Sequence, residues 1–206
     1  MSTREPLLQT VPIAELRPTQ VTVGFREVAE KRRDWSERPD GDRAEWLGRH
    51  MIPVLLGPKK RPYVIDHHHL TRALLEEGCA GVLVNVVADL SMLDRDAFWV
   101  FADNRGWCHP YDAEGRRAGF DDIPKSIADL ADDPFRSLAG ALRRAGGYAK
   151  ETVPFTEFMW ADALRRRIKR REVDASFSGA LLQALEFAKS RDARYLPGWC
   201  GPNDGT

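Results

Sequence analysis

Residues 63–75 read YVIDHHHLTRALL: an apolar run, an aspartate, three consecutive histidines, then an amphipathic pattern. Imidazole exchanges protons near neutral pH and donates hydrogen bonds to phosphate oxygens. With a strand ending near Asp66, His67, His68 and His69 cross a turn and a helix opens at His69 or Leu70. The first turn of a helix carries backbone N–H groups without intrahelical partners and the positive end of the macrodipole, which suits phosphate. Asp66, His67, His68 and His69 are therefore the candidate catalytic residues, and His69 is also placed to hold the phosphate.

Metal binding is a weaker reading of the same run. Adjacent residues point in different directions, so at most two of the three imidazoles converge on one ion, and a catalytic zinc site wants a further ligand from elsewhere. His50 and His109 are the distant candidates, but no HExxH spacing supports them. If an ion binds, Asp66 and His68 are its candidate ligands. A simpler account makes Asp66 an N-cap and the histidines partly buried, hydrogen-bonded side chains. Three in a row between a buried-looking strand and an amphipathic helix favour function.

Other segments offer partners for that chemistry. In RPTQ (17–20), Thr19 and Gln20 can hydrogen-bond a phosphate or base, although a proline-initiated turn explains them equally well alone. Glu27, Glu30 and Lys31 follow on a helix, and Lys31 is the candidate phosphate-binding cation. Asp103, His109 and Asp112 can form a second wall of the pocket, or can be ordinary turn chemistry. Phe98, Trp99 and Phe101 read as core. LRRRIKRRE (164–172) holds six basic residues. Arg165, Arg166, Lys169 and Arg170 are its candidate nucleic-acid contacts. Their place at a helix C-terminus, where cations are favoured anyway, explains much of the cluster.

The elements that must position these groups can be read along the chain. VPIAEL (11–16) is a short apolar strand, and FREVAEKRRDW (25–35) has helical spacing. IPVLLGPKKRPYVID (52–66) predicts a hairpin around Gly-Pro-Lys-Lys. Leu70, Ala73, Leu74 and Leu75 predict a helix ending at Gly78. VLVNVV (82–87) is rich in β-branched residues and reads as the best strand. A helix begins at Ser91 as N-cap, with Asp94 three residues on. Beyond residue 123 no good strand is visible, and four helices are expected at 124–131, 134–145, 154–170 and 177–190. The fold class is therefore α+β, with a sheet domain over 1–110 and an α-helical C-terminal region over 111–206.

Composition bounds the function without choosing it. The chain has 206 residues, 43% hydrophobic and 30% charged, which is ordinary for a globular protein. Lys plus Arg and Asp plus Glu both total 31, so only local charge can argue for nucleic acid. Cys79, Cys108 and Cys200 form no CxxC pair, which argues against a disulfide framework or a cysteine zinc site. MSTREPLLQT lacks signal-peptide features, and no apolar run approaches the ~20 residues of a membrane span. A cytoplasmic protein with no membrane partner is expected.

VIDHHHLTRAL resembles the strand–turn–helix signature of the ParB/sulfiredoxin superfamily: an apolar strand, Asp or a small residue, Gly, His, His-Arg, and a helix. It resembles more closely the branch of ParB-like nucleases, in which DHHH is paired with an upstream PTQ, here Pro18-Thr19-Gln20. Phe98-Trp99, Gly106-Trp107, Pro110-Tyr111-Asp112 and Leu196-Pro197-Gly198 match the branch's other typical pieces, in order. The resemblance implies a small mixed β-sheet with helices and a nucleotide or phosphate pocket where the histidine-bearing helix begins. Members of the superfamily hydrolyse or bind CTP, phosphorylate free serine, reduce cysteine sulfinic acid with ATP, or are proposed to cut nucleic acid. Here His68 and His69 match the recurrent histidines, while His67 stands where glycine is usual. Leu70 replaces the usual arginine, and Arg72, two residues on, points elsewhere on a helix. No cysteine lies in the turn, which argues against sulfiredoxin-type chemistry.

The expected function is a phosphate- or nucleotide-handling protein, a nuclease or phosphodiester hydrolase using the DHHH turn. The alternatives are a nucleotide-dependent small-molecule kinase and a non-enzymatic nucleotide- or DNA-binding regulator. The expected ligand is a nucleotide or other phosphate compound, with a nucleotide and a divalent metal ion as candidate cofactors and nucleic acid as a candidate partner.

Overall fold

A computed structural model describes residues 7–202. Residues 1–6, which fall in the segment expected to lack a signal peptide, lie outside the described residues, as do 203–206. The strands are β1 (Leu7–Pro12), β2 (Arg17–Pro18), β3 (Thr22–Val23), β4 (Ile52–Leu56), β5 (Pro62–Val64), β6 (Gly81–Asp89) and β7 (Ala131–Asp132). The helices are α1 (Phe25–Ser36), α2 (Asp40–Arg49), α3 (His68–Glu76), α4 (Arg95–Asn104), α5 (Pro134–Arg144), α6 (Thr156–Arg165), α7 (Arg170–Ala175) and α8 (Phe177–Lys189). Among the described residues no helix is long and apolar enough to cross a membrane.

Five strands form a mixed sheet in the order β1-β6-β4-β5-β2. β4 and β5 are the antiparallel hairpin, with Val54 opposite Val64 and Leu56 opposite Pro62. β6 lies parallel to β4 on one side, and β2 lies parallel to β5 on the other, with Arg17 opposite Tyr63. Proline in β2 is tolerated because that strand is an edge and its missing N–H interrupts no ladder. At β4 and β5 both faces of the sheet are buried. Val54 and Val64 enter a core with Leu70, Leu74, Val82 and Val84, while Leu55 and Tyr63 enter another with Phe98, Trp99 and Ile123. Covering on both sides explains why β4 and β5 read as continuous apolar runs instead of alternating ones.

The chain groups into two units, one of residues 7–23, 28–112 and 116–131, the other of 24–27, 113–115 and 132–202. The first therefore continues past residue 110. Ile127 and Leu130 join the Val54 core, which draws this stretch into the sheet unit. The second unit packs α5, α6, α7 and α8 around Leu138, Leu142, Trp160, Leu164, Ile168 and Ala184. Tyr148 stacks on Trp160 with ring centroids 4.4 Å apart, and the Trp160 indole N–H donates to the carbonyl of Pro197 at 2.9 Å. Gly198 sits at φ +75°, and a Cβ there would lie 2.2 Å from the Ala149 carbonyl oxygen. Leu196-Pro197-Gly198 thus has a packing role in this unit.

Several local expectations are corrected. The N-cap of α4 is Asp94, whose carboxylate accepts from the Ala97 amide at 2.8 Å, and the Ser91 amide instead donates to Asp89. The helix expected at 124–131 is replaced by a 3-10 turn at Ile127–Asp129. Its carbonyls turn outward to a single donor: Arg72 Nη1 lies 3.2 Å from Ile127 O, 2.5 Å from Ala128 O and 3.3 Å from Leu130 O. The expected 154–170 helix is two, broken after Arg165.

Arg72 is thus a clamp whose guanidinium is also held by Glu76 at 2.5 Å. Arg72→Met keeps the apolar stem but abandons three carbonyls, and should cost about 1.5–3 kcal/mol in denaturant unfolding. A loss below about 0.5 kcal/mol, the range of ordinary surface changes, would show that the segment holds itself.

Candidate functional site

The apolar residues of β5 anchor the strand in both cores, and the chain must then reverse from strand to helix within three residues, 65–67. His67 makes that reversal at φ +66°, ψ +26°, the left-handed conformation. That conformation favours glycine for a steric reason, because a Cβ is disfavoured there. Asp66 is not the cap of α3. Its exposed carboxylate accepts from the His67 amide at 2.6 Å, and its other oxygen lies 3.9 Å from His67 Nε2. His67 is the N-cap residue and makes no side-chain hydrogen bond into the first turn.

The next two histidines point inward. His68 and His69 are 4% and 8% exposed. His68 Nε2 accepts from the Thr19 backbone N–H at 3.2 Å, across 49 positions of sequence. An imidazole nitrogen accepts only when it carries no proton, so this bond assigns His68 the neutral tautomer with its proton on Nδ1. Thr19 is fixed in turn: its hydroxyl donates to Val64 O at 2.7 Å, and its carbonyl accepts from the His109 amide at 2.8 Å. Thr71, fully buried, donates its hydroxyl to His67 O at 2.9 Å. The structure therefore brings the PTQ segment, the DHHH turn and the residue-109 loop together.

The remaining sequence-derived candidates fall in various places. Gln20 is buried, and its side-chain amide donates to Thr22 O at 2.7 Å, so it braces its own loop. Lys31 lies half-buried on α1. Asp103 accepts from Arg117 at 2.5 Å, and Asp112 accepts from Arg116 Nε at 2.9 Å. His50 stacks on Trp46 at 4.0 Å and bonds the Trp46 carbonyl, a structural role. One carboxylate oxygen of Asp66 serves its own turn, and His68 Nε2 accepts from Thr19. Among the described residues no three His, Cys, Asp or Glu side chains are grouped to hold a metal ion. Cys108 is buried and not thiolate-like: burial, with the Asp103 carboxylate adding to it, pushes its thiol up to about 12.

The basic run divides by environment. Arg165 is largely buried and pairs at 2.6 Å with Asp133, which is 3% exposed on its side chain and also caps α5. Burial pushes the Asp133 carboxyl up, against the opposing pull of Arg165. Arg166 pairs with Asp162 at 3.0 Å and Arg170 with Asp174 at 3.7 Å, both as exposed i,i+4 contacts. Lys169 is the N-cap residue of α7. Two residues that the sequence did not flag matter here, Thr71 and Arg117. Only Thr71, four positions after His67, carried a local signal, because a helical Thr bonds back one turn.

Residues 9–166 match the family described as "Putative ParB-like nuclease". The chain belongs to that family. The match contains PTQ, DHHH and the residue-109 loop, and ends inside the basic run. The crystal structure of protein Atu1540 from Agrobacterium tumefaciens is similar over 96% of this chain and 98% of that one, with 56% identity and a TM-score of 0.91. No curated protein matches.

The left-handed His67 in this ParB-like chain gives a direct test of the turn. His67→Gly should leave stability unchanged or raise it by up to about 1 kcal/mol, because relief of the Cβ clash outweighs glycine's entropy cost. His67→Val should cost at least about 1 kcal/mol, because a β-branched residue resists positive φ. Thermal unfolding ranks the two, and the opposite order would contradict the turn geometry.

Proposed function

We propose that this ParB-like protein binds a phosphate-bearing ligand, a nucleotide or phosphodiester, at the first turn of α3 and hydrolyses its phosphodiester bond there. The observation that carries this reading is the Thr19 amide bond to His68 Nε2, which joins two separated motifs at a helix N-terminus. A rigid strand–turn–helix junction is what a phosphate site requires, since amide donors and the dipole must be aimed before the ligand arrives. Family membership supports the same reading at a coarser level.

Roles follow from the geometry of each imidazole. His68 is a positioning residue, because its Nε2 lone pair is already used. His69, one position further on and nearly buried, is assigned as the proton-transferring group. In hydrolysis, water attacks phosphorus as a base removes its proton, the P–O bond to the leaving group breaks, and that oxygen is protonated. His67, exposed beside Asp66, is the second proton carrier. First-turn amides of α3 stabilise the charge that develops on the phosphoryl oxygens.

The test uses the p-nitrophenyl ester of thymidine 5′-monophosphate. His69→Ala should lower kcat by roughly 100-fold or more with unchanged thermal stability, the usual worth of a general acid or base. His67→Gly should lose far less on this ester, because p-nitrophenolate leaves without needing the proton that His67 carries. Equal losses in both variants would undo the assignment, and nucleotide turnover that needs a separate acceptor would instead establish a kinase.

A further inference from the structure

A cavity of about 360 Å³ lies in the sheet unit, lined by Arg17, Tyr63, Trp99, Phe120, Ile123 and Lys125 together with Arg95, Asp121 and Pro124. None of these residues belongs to the histidine turn. Its apolar part is aromatic. Tyr63 and Trp99 are 8% and 5% exposed and meet edge-to-face at 5.5 Å, and Phe120 stacks on Trp99 at 5.8 Å with the planes 10° apart. Ile123 and Pro124 complete a wall that presents carbon to any occupant. A volume at the lower end of the small-ligand range, with the rings of Tyr63, Trp99 and Phe120 in its wall, suits a compact flat body.

The charge on the lining is unbalanced. Three cations, Arg17, Arg95 and Lys125, face one carboxylate, Asp121, which Arg95 engages in an ion pair. Among the described residues Arg17 and Lys125 have no ion pair. Arg17 is half-buried in β2, in register with Tyr63 of β5, so its guanidinium is held beside the aromatic floor by the sheet itself. A partly desolvated guanidinium without a carboxylate favours an anion, and its planar fork suits one with two oxygens. Lys125 adds a second cation from the loop after Ile123.

We infer that this cavity is a binding site for a small organic anion with a flat aromatic body. The ring system lies against Tyr63, Trp99 and Phe120, and the anionic group sits between Arg17 and Lys125. This inference is independent of the reading of the histidine turn.

Naphthalene-2-sulfonate, which is fluorescent, planar and anionic, is the probe, with neutral 2-naphthol as its counterpart. Fluorescence anisotropy reads affinity, and the ¹H–¹⁵N signal of the Trp99 indole reads location. The sulfonate should bind and move that signal. Arg17→Gln/Lys125→Gln should weaken it by roughly tenfold or more, and 2-naphthol should bind the wild type comparably weakly. Lys150→Gln/Arg194→Gln, which removes the same charge from exposed sites of the other unit, should leave affinity unchanged. No binding by the wild type, an unmoved Trp99 signal, equal affinity for naphthol, or equal loss in the control pair would each overturn the inference. Thermal unfolding of the variants shows that a lost signal is not lost fold.

Discussion

Thr19 donates its backbone proton to an imidazole nitrogen, and much of the sheet unit is arranged so that it can. The donor must follow directly on the edge strand β2, which is in register with β5, and the acceptor must stand on the first residue of α3. Val64 and Val54 hold β5 in the core, Thr19 Oγ1 binds the carbonyl of Val64, and His67 turns the chain through positive φ. The bond also commits one nitrogen of the triplet, His68 Nε2, as an acceptor.

Three adjacent identical residues consequently have three different environments. His67 lies in a strained turn with its ring at the surface. His68 lies inside and is a fixed acceptor. His69 is the next inward residue of the same helix and is nearly buried. This division is what helical geometry imposes when a triplet straddles a helix start: the first residue is outside the helix, and the next two are about 100° apart around it.

The parts of the fold legible in the sequence were those governed by local pattern. The β4–β5 hairpin announced itself by two apolar runs around Gly-Pro-Lys-Lys. α3 showed its leucine periodicity and β6 its β-branched residues, and α5 and α8 lie where helices were expected at 134–145 and 177–190. The glycine-like position of His67 was legible through the resemblance to the wider superfamily, although positive φ itself is invisible in a histidine. What could not be read was held by distant contacts. Arg72 shapes Ile127–Leu130 from 55 or more positions away, and the Thr19–His68 bond spans 49. α2 was missed because its residues are mostly polar, although Pro39 before its start and Asp40 and Asp42 in its first turn were local signals. The basic run looked uniform because sequence gives charge without burial. Only the fold separates Arg165, committed to Asp133, from its exposed neighbours.

The central claim is that phosphate is handled at the start of α3 by histidines of unequal role. Long-range ¹H–¹⁵N spectra of histidine-labelled protein resolve ring tautomers, and the chain has 5 histidines to assign. Titration with a non-hydrolysable thymidine phosphodiester should move the ring nitrogens of His69, while His68 keeps its Nδ1–H tautomer throughout. Ligand binding that leaves His69 unmoved, or a His68 ring protonated at Nε2 in the free protein, would contradict the account.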